Sequence, residues 1–90
     1  MEYEWDENKS RLNKEKHGID FNAASKLWND KDRIEIQTTF PDEDRSIVIA
    51  KIENKLWAAI CTKRNDVIRI ISARRARKKE TMLYEQEEIN

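Results

Sequence analysis

The chain has 90 residues, a length that fits one domain, which we predict to span residues 1–90. It is 40% charged and 38% hydrophobic, but its three Trp, two Tyr and two Phe can build a compact core, which argues against disorder. No apolar stretch approaches the roughly 20 residues of a membrane span, and the N-terminus lacks a signal-peptide pattern. We therefore expect a cytoplasmic protein with no membrane partner. The single cysteine, Cys61, excludes an internal disulfide and is expected to pack as a small hydrophobic residue.

The zero net charge is a cancellation between segments. Residues 63–79 carry eight basic side chains against one acidic residue, a net charge of +7, and residues 80–90 carry four Glu and no basic residue. An asymmetry of this kind favours a polyanionic partner such as nucleic acid.

The N-terminal third predicts a strand and two helices. Residues 2–5 alternate as in a short strand, and Asp6 can cap a helix over residues 8–17 whose only strong apolar anchor is Leu12. Gly18 suits the left-handed position that ends a helix. Asp20 can cap a second helix over residues 21–29, with a core face formed by Phe21, Ala24, Leu27 and Trp28.

From residue 34 the hydrophobic period changes to two. The pattern predicts strands over residues 34–38, 45–53, 55–63 and 67–73, a loop over residues 40–44, and a hairpin turn at Asn54–Lys55. Residues 75–88 contain strong helix formers. The predicted fold class is α+β: a short N-terminal strand, two helices, a four-stranded antiparallel sheet and a C-terminal helix, with the helices on one face of the sheet.

The strongest local signal for function is the basic stretch from Arg69 to Lys79, which runs from a strand into a helix. Arginine suits phosphate because its planar fork bonds two oxygens at once and stays charged. A solvated cationic helix start is the alternative interpretation of the stretch. Arg69 argues against that alternative, because a charge within an apolar strand is costly unless it faces a site.

Two further features are candidates for chemistry. Lys14, Lys16 and His17 lie at a helix end, where they either complement the helix dipole or line a phosphate site. Tyr84 lies in a polar helix, where a phenol can bind a phosphate or stack on a base. The three Trp fall on apolar faces and are expected in the core. The sequence shows no Cys/His metal spacing and no glycine-rich phosphate loop, so we expect no metal and no cofactor.

Several motifs resemble the BrnT toxin family, in the right order and over nearly the whole chain. They are Tyr3-Glu-Trp5-Asp6-Glu-Asn-Lys9, Asn13 with Lys16-His17-Gly18-Ile19, Phe21 with Ala23-Ala24, and Arg69-Ile-Ile-Ser72-Ala-Arg74-Arg75-Ala followed by Glu80 and Tyr84. The resemblance implies a RelE-like ribonuclease toxin of a bacterial type II toxin–antitoxin system. Such a toxin cuts mRNA, free or on the ribosome, without a metal, and inhibits translation. A BrnA-like antitoxin would neutralise it, and operator DNA would be bound only through the antitoxin complex.

The same resemblance suggests site residues. Arg69 and Arg74 would contact the phosphate with help from Arg75. His17, or a lysine beside it, would transfer protons, and Tyr84 would be a positioning group. RNA-binding cations would be Lys14, Lys16, Lys63, Arg64, Arg77 and Lys78. In a regular strand Arg69 and Arg74 point to opposite faces, so both reach one site only if the strand bulges near Ser72–Ala73. Otherwise one of them holds another element, most simply by an ion pair. The alternative function is a non-catalytic domain that binds nucleic acid or protein.

Overall fold

The fold is α+β, with a five-stranded sheet and helices on both of its faces. A computed structural model describes residues 2–39 and 44–89. Its elements in chain order are β1 (Glu2–Glu4), α1 (Glu7–His17), α2 (Phe21–Ala24), a 3-10 helix (Ser25–Asn29), β2 (Ile34–Thr39), β3 (Asp44–Ile52), β4 (Lys55–Arg64), β5 (Val67–Arg75) and α3 (Lys78–Ile89). Most of the predicted loop over residues 40–44 lies outside the described residues. None of the described helices is long and apolar enough to cross a membrane.

The sheet is mixed, which corrects the prediction of four antiparallel strands. Its order is β1-β5-β4-β3-β2, and β2 to β5 form an antiparallel meander. β1 joins it in parallel beside β5, with Glu2 opposite Val67 and Glu4 opposite Arg69. The parallel pairing is possible because helices and strands separate β1 from β5 in sequence, giving the long connection that parallel neighbours need.

The predicted helix ends are confirmed by their caps. The Asp6 carboxylate accepts hydrogen bonds from the first turn of α1, and Gly18 ends that helix at a φ of 80°. The Asp20 carboxylate accepts from the Ala23 N–H at 2.8 Å and starts α2. The predicted second helix keeps its span but tightens into the 3-10 helix after Ala24. In the first hairpin the turn residues are Glu53 and Asn54, both at positive φ, one position earlier than predicted.

The prediction that all helices cover one face is wrong. One face, under α1, α2 and the 3-10 helix, buries residues such as Phe21, Leu27 and Ile70. The other face is covered by α3, whose Tyr84 packs against Ile49 and Ala58. The physical reason is visible in β3, where residues 47–50 are all apolar, so both faces of this strand need a cover.

Helix α1 is held to the sheet by polar residues, and Leu12 is not its anchor. Leu12 is 59% exposed, whereas Ser10 and Asn13, three positions apart on one side of the helix, are buried. The Ser10 hydroxyl accepts from the Phe21 N–H at 2.9 Å. The Asn13 amide accepts from the Ala73 N–H at 3.2 Å and donates to the Ala73 and Ile19 carbonyls, each at 2.8 Å.

Cys61 packs as predicted. It is fully buried in the core under the first face. Burial raises the pKa of its thiol to about 11, and the nearby Glu35 carboxylate adds to the effect. The three Trp also lie on apolar faces: Trp28 is buried, and Trp5 and Trp57 are partly buried against the same core.

Candidate functional site

A bulge in β5 brings Arg69 and Arg74 to the same face of the sheet. Ile60 pairs with Ser72 while the next residue of β4, Cys61, pairs with Ile70, so Ile71 is an extra residue in β5. As a result Ile70 and Ala73 both lie in the core under α1. The two arginines therefore point to the α3 face, from positions opposite Thr62 and Ala58. These positions are four residues apart on β4, about 13 Å, so the side chains share a face without converging on one point.

The Arg74 guanidinium is occupied by Glu80. Its two terminal nitrogens donate to the two carboxylate oxygens of Glu80 at 2.8 and 2.9 Å, and both side chains are largely shielded, at 17% and 13% exposed. The same carboxylate accepts from the Arg77 N–H at 2.8 Å, which caps the start of α3. Hydrogen bonding to Arg74, with the Arg77 N–H in addition, holds the pKa of Glu80 below its usual value despite burial. Arg74 thus ties α3 to the sheet, as the ion-pair alternative anticipated.

The cations of residues 63–79 are close together in sequence but lie at different places in the structure. Lys63 forms an ion pair with Glu35, and Arg69 lies 3.7 Å from the Glu4 carboxylate, both pairs being substantially exposed. Lys63 and Arg64 lie at the β4–β5 turn, whereas Arg75 pairs with Trp57 at the opposite end of β4. Seven residues of strand, about 23 Å, separate these two ends. One phosphate cannot be reached from both.

Arg75 is fixed in place at the end of β5. Its Nε donates to the Leu56 carbonyl at 3.2 Å, and the guanidinium carbon lies 5.4 Å from the centre of the Trp57 ring. The side chain is exposed, and within the described part of the chain its two terminal nitrogens make no hydrogen bond. A stacked and anchored guanidinium loses little freedom when it binds an anion, so this arrangement is preorganised for a phosphate.

The other predicted cations surround this end of the molecule or lie on α1. Arg77 and Lys78 are exposed at the start of α3, two and three residues beyond Arg75. Lys14, Lys16 and His17 are exposed in the last turn of α1. His17 lies one helical turn beyond Asn13, whose amide binds β5 at Ala73. This spacing directs His17 toward the β5 side of α1.

Tyr84 is a buried residue. It is 2% exposed, and its hydroxyl donates to Asp30 Oδ2 at 2.7 Å. The same carboxylate accepts from the Lys51 and Asp32 N–H groups, each at 2.9 Å. Burial raises the pKa of Asp30, but these three hydrogen bonds outweigh it and leave that pKa lowered. Tyr84 therefore joins α3 to the 3-10 helix and β3, and a direct role in chemistry stays a prediction.

Sequence reasoning missed one group of residues next to Arg75. Lys51 and Asn54 from the first hairpin and Thr81 from α3 line a pocket together with Arg75 and Tyr84. None of the three belongs to a basic run or a motif, so no local pattern marks them. Only the pairing of β4 with β3 and β5, which sets the hairpin turn beside the end of β5, brings them together.

Among the described residues, no three His, Cys, Asp or Glu side chains cluster closely enough to hold a metal ion. The acidic residues Asp42 and Glu43 of the predicted loop lie outside the described residues.

Comparison with known proteins decides the family. A family model described as the ribonuclease toxin BrnT of type II toxin–antitoxin systems matches residues 5–80. The chain belongs to the BrnT family. The match confirms the family predicted from the motifs, and it spans every candidate site residue except Tyr84. A search of curated proteins finds no significant match. Membership of the BrnT family makes this chain a ribonuclease toxin with an antitoxin partner and an RNA substrate.

Proposed function

We propose that this BrnT-family chain is a cytoplasmic endoribonuclease that cleaves mRNA without a metal ion and so inhibits translation. The observation that carries the proposal is Arg75, whose guanidinium donates to the Leu56 carbonyl through Nε and stacks on Trp57, while its two terminal nitrogens make no hydrogen bond within the described part of the chain. In a ribonuclease family, a fixed cation of this kind is suited to the charge that develops on the phosphate during cleavage.

The proposed reaction is an internal transfer. The ribose 2′-oxygen attacks the adjacent phosphorus, the bond from phosphorus to the 5′-oxygen breaks, and the products are a 2′,3′-cyclic phosphate and a 5′-hydroxyl. Negative charge rises on the phosphate in the transition state, where one donor of this kind is typically worth about 3–4 kcal/mol. A proton leaves the 2′-hydroxyl and another reaches the 5′-oxygen. We assign proton transfer to His17, which is exposed at the end of α1 on the side of β5.

The remaining predicted residues receive supporting roles. Arg74 holds α3 through Glu80, and Tyr84 holds it through Asp30, so both position the elements around Arg75. Arg69 is exposed and paired only at 3.7 Å, which leaves it available to the RNA backbone. The same backbone role is proposed for the exposed cations Lys14, Lys16, Lys63, Arg64, Arg77 and Lys78.

We further propose that the antitoxin is BrnA-like and that operator DNA is bound only through the toxin–antitoxin complex. The antitoxin would have to cover exposed cations, namely Arg75, Arg77, Lys78 and Lys79. We therefore expect its contact surface to be acidic.

The test is cleavage of a single-stranded RNA by purified protein, with excess EDTA in one arm. We expect Arg75→Gln to lower the cleavage rate about 10²-fold, as for the loss of one transition-state donor. Arg75→Lys should restore activity only in part, because an ammonium cannot bond two oxygens in the same way. Arg11→Gln, the same loss of charge at an exposed position on α1, is the control and should cleave normally. Loss of cleavage in EDTA, restored by magnesium, would contradict the metal-free mechanism, and equal activity of Arg75→Gln and Arg11→Gln would contradict the role of Arg75.

A further inference from the structure

The sheet has two edge strands, β1 and β2, which differ in length and in charge. β1 has three residues, and two of them are the glutamates Glu2 and Glu4. A short, charged strand is a common protection of a sheet edge. β2 has six residues, pairs with β3 in an unbroken register, and contains neither Lys nor Pro. Among the described residues no strand lies on the outer side of β2, so its outward main-chain N–H and C=O groups can pair with one more strand.

The side chains of β2 alternate between the two faces of the sheet. Ile34 and Ile36 lie on the α3 face, half-buried against the apolar cluster under that helix. Glu35, the only charged residue of β2, lies on the other face and forms an ion pair with Lys63. Gln37 is exposed on the same face as Glu35. The one charge of this strand is thus compensated within the chain, and the strand offers apolar side chains on one face and polar ones on the other.

A second copy of β2 fits this edge. Two-fold symmetry pairs the strand with itself in the antiparallel direction, and one register matches all the side chains of residues 34–38. In that register Ile36 lies opposite Ile36 of the second copy, and Ile34 lies opposite Thr38. Glu35 lies opposite Gln37, whose amide can donate to the Glu35 carboxylate, and symmetry makes this contact twice.

The neighbouring registers are less favourable. A shift by one residue would set the apolar face of one copy beside the polar face of the other. A shift by two residues in one direction would place Glu35 opposite Glu35, and like charges directly opposite each other destabilise a strand pair. The same shift in the other direction would pair Gln37 with itself and leave Ile36 opposite Thr38. The sequence of β2 is therefore complementary to itself in a single register.

We propose that two copies of this chain associate through β2, so that their two five-stranded sheets become continuous with Ile36 of both copies at the two-fold axis. β3 and β4 lie between β2 and β5, so the dimer leaves the arginines of β5 uncovered. A strand of six residues is about 20 Å long. Because the contact is small, the association should be weak and should depend on protein concentration.

Sedimentation equilibrium over a series of protein concentrations measures the dimer. Gln37→Glu sets carboxylates opposite each other at two symmetric places and should raise the dissociation constant several-fold. Gln37→Lys sets an ammonium group opposite Glu35 and should lower the constant by a similar factor. The matched controls are Asn22→Asp and Asn22→Lys, the same changes of charge at an exposed position on α2, which should leave the constant unchanged. Thermal unfolding of each variant checks that the fold is kept.

Disulfide formation tests the register. Ile36→Cys should give a disulfide-linked dimer under mild oxidation, because directly opposite residues have Cα atoms about 4.5–5.5 Å apart, within the range of a disulfide. Gln37→Cys should not, although Gln37 is the more exposed residue, because its symmetry mate is displaced by two residues and lies about 8 Å away. Cys61 is buried and does not compete for the disulfide.

A monomer at every concentration would overturn the proposal, and so would equal cross-linking of Ile36→Cys and Gln37→Cys. A dimer whose dissociation constant responds to neither change at Gln37 would also overturn it, because the contact would then lie elsewhere. If the chain stays monomeric and Gln37→Glu weakens binding of the antitoxin, β2 pairs with the antitoxin and not with a second copy. None of these measurements uses RNA, so a failure of the proposed ribonuclease function would leave this proposal in place.

Discussion

At the scale of single residues, the fold depends on polar side chains that hydrogen-bond to main-chain groups where the sheet has no neighbouring strand. β1 pairs with β5 only up to Arg69, so the edge of β5 beyond the bulge has no neighbouring strand among the described residues. The Asn13 amide takes that strand's place, since it both donates to and accepts from the main chain of Ala73. A side-chain amide has the same donor and acceptor as a peptide group. Asn13 therefore satisfies the main chain of Ala73 at the edge of the sheet, and the same hydrogen bonds hold α1 against β5.

This arrangement predicts an unusual order of mutational effects on α1. We expect Asn13→Ala to lower the free energy of unfolding by about 1–3 kcal/mol, the cost of leaving a buried polar group unsatisfied. Leu12→Ala, which removes a larger apolar side chain next to it, should change the free energy by less than about 0.5 kcal/mol because Leu12 is exposed. Urea denaturation of both variants measures the difference. A loss of about 2–5 kcal/mol for Leu12→Ala would show instead that Leu12 is a core residue.

At the scale of elements, α3 is attached to the sheet by a small number of polar contacts and one aromatic side chain. Arg74 and Glu80 form the first attachment, and Tyr84 with Asp30 forms the second. Met82 and Leu83, on the same helix, remain 57% and 43% exposed. The helix is thus held by specific pairs more than by a broad apolar face.

The attachment at Glu80 predicts how stability depends on acid. Because the folded pKa of Glu80 is lowered, mainly by hydrogen bonding to Arg74, its ionised form stabilises the folded state. This contribution is fully present above the unfolded pKa of a Glu, about 4.3, and is lost as the pH falls from there through the lower folded pKa. In Glu80→Gln we expect lower stability at pH 7 and a shallower loss of stability below about pH 4.3.

The measurement is the free energy of unfolding in urea at a series of pH values. Glu85→Gln, the same change at an exposed position further along α3, is the matched control and should keep the wild-type pH dependence. Arg74→Met should resemble Glu80→Gln at pH 7, and the double variant should lose less than the sum of the two single losses, because the residues act as a pair. Parallel pH curves for Glu80→Gln and the wild type would rule out this ion pair as the attachment of α3.

The elements also show which parts of the fold a sequence reveals. Helix caps and hydrophobic periodicity are local signals that a sequence shows directly. Asp6 and Gly18 predict the bounds of α1, and Phe21 belongs to the predicted core face of α2 and the 3-10 helix. The period of two predicts the strands of the meander. Two features were not. The parallel pairing of β1 and the position of α3 on the second face depend on contacts between distant segments, Glu4 with Arg69 and Arg74 with Glu80. The sequence allows a bulge near Ser72–Ala73, but only the register of β4 with β5 shows that Ile71 is the extra residue.

The same distinction applies to the candidate site. The arginines were found because they are close in sequence, but their separate roles depend on what each guanidinium meets: Glu4 for Arg69, Glu80 for Arg74, and Trp57 for Arg75. Lys51, Asn54 and Thr81 carry no motif and become neighbours only through the sheet. Sequence thus identifies the kind of chemistry, whereas the partners of each charge determine where it can take place.

At the scale of the whole molecule, the position of each cation of residues 63–79 depends on which end of the sheet it lies near. Among the residues that the structure describes, three of the eight cations of residues 63–79 are paired with carboxylates of the chain itself, Glu4, Glu35 and Glu80. The exposed cations Arg75, Arg77, Lys78 and Lys79 collect where β5 ends and α3 begins, beside the first hairpin turn. An RNA strand and an acidic inhibitor would both be attracted to this end.

We therefore predict that the antitoxin covers the cations between Arg75 and Lys79 and excludes RNA from them. Attraction between opposite charges should make association fast at low salt and slower as salt rises, because screening sets in within about 10 Å at 0.1 M. Lys79→Gln should lower the association rate and weaken its salt dependence. Lys9→Gln on α1, the same change at an exposed position remote from this end in sequence, should leave both unchanged. The measurement is the association rate against ionic strength, together with competition between the antitoxin and an RNA oligonucleotide that cannot be cleaved because its 2′-oxygens are methylated. A rate independent of salt, with the antitoxin and the oligonucleotide bound at once, would mean that the antitoxin docks elsewhere. It would then act by displacing α3, and inhibition would depend on breaking the attachment of α3 through Glu80 and Tyr84.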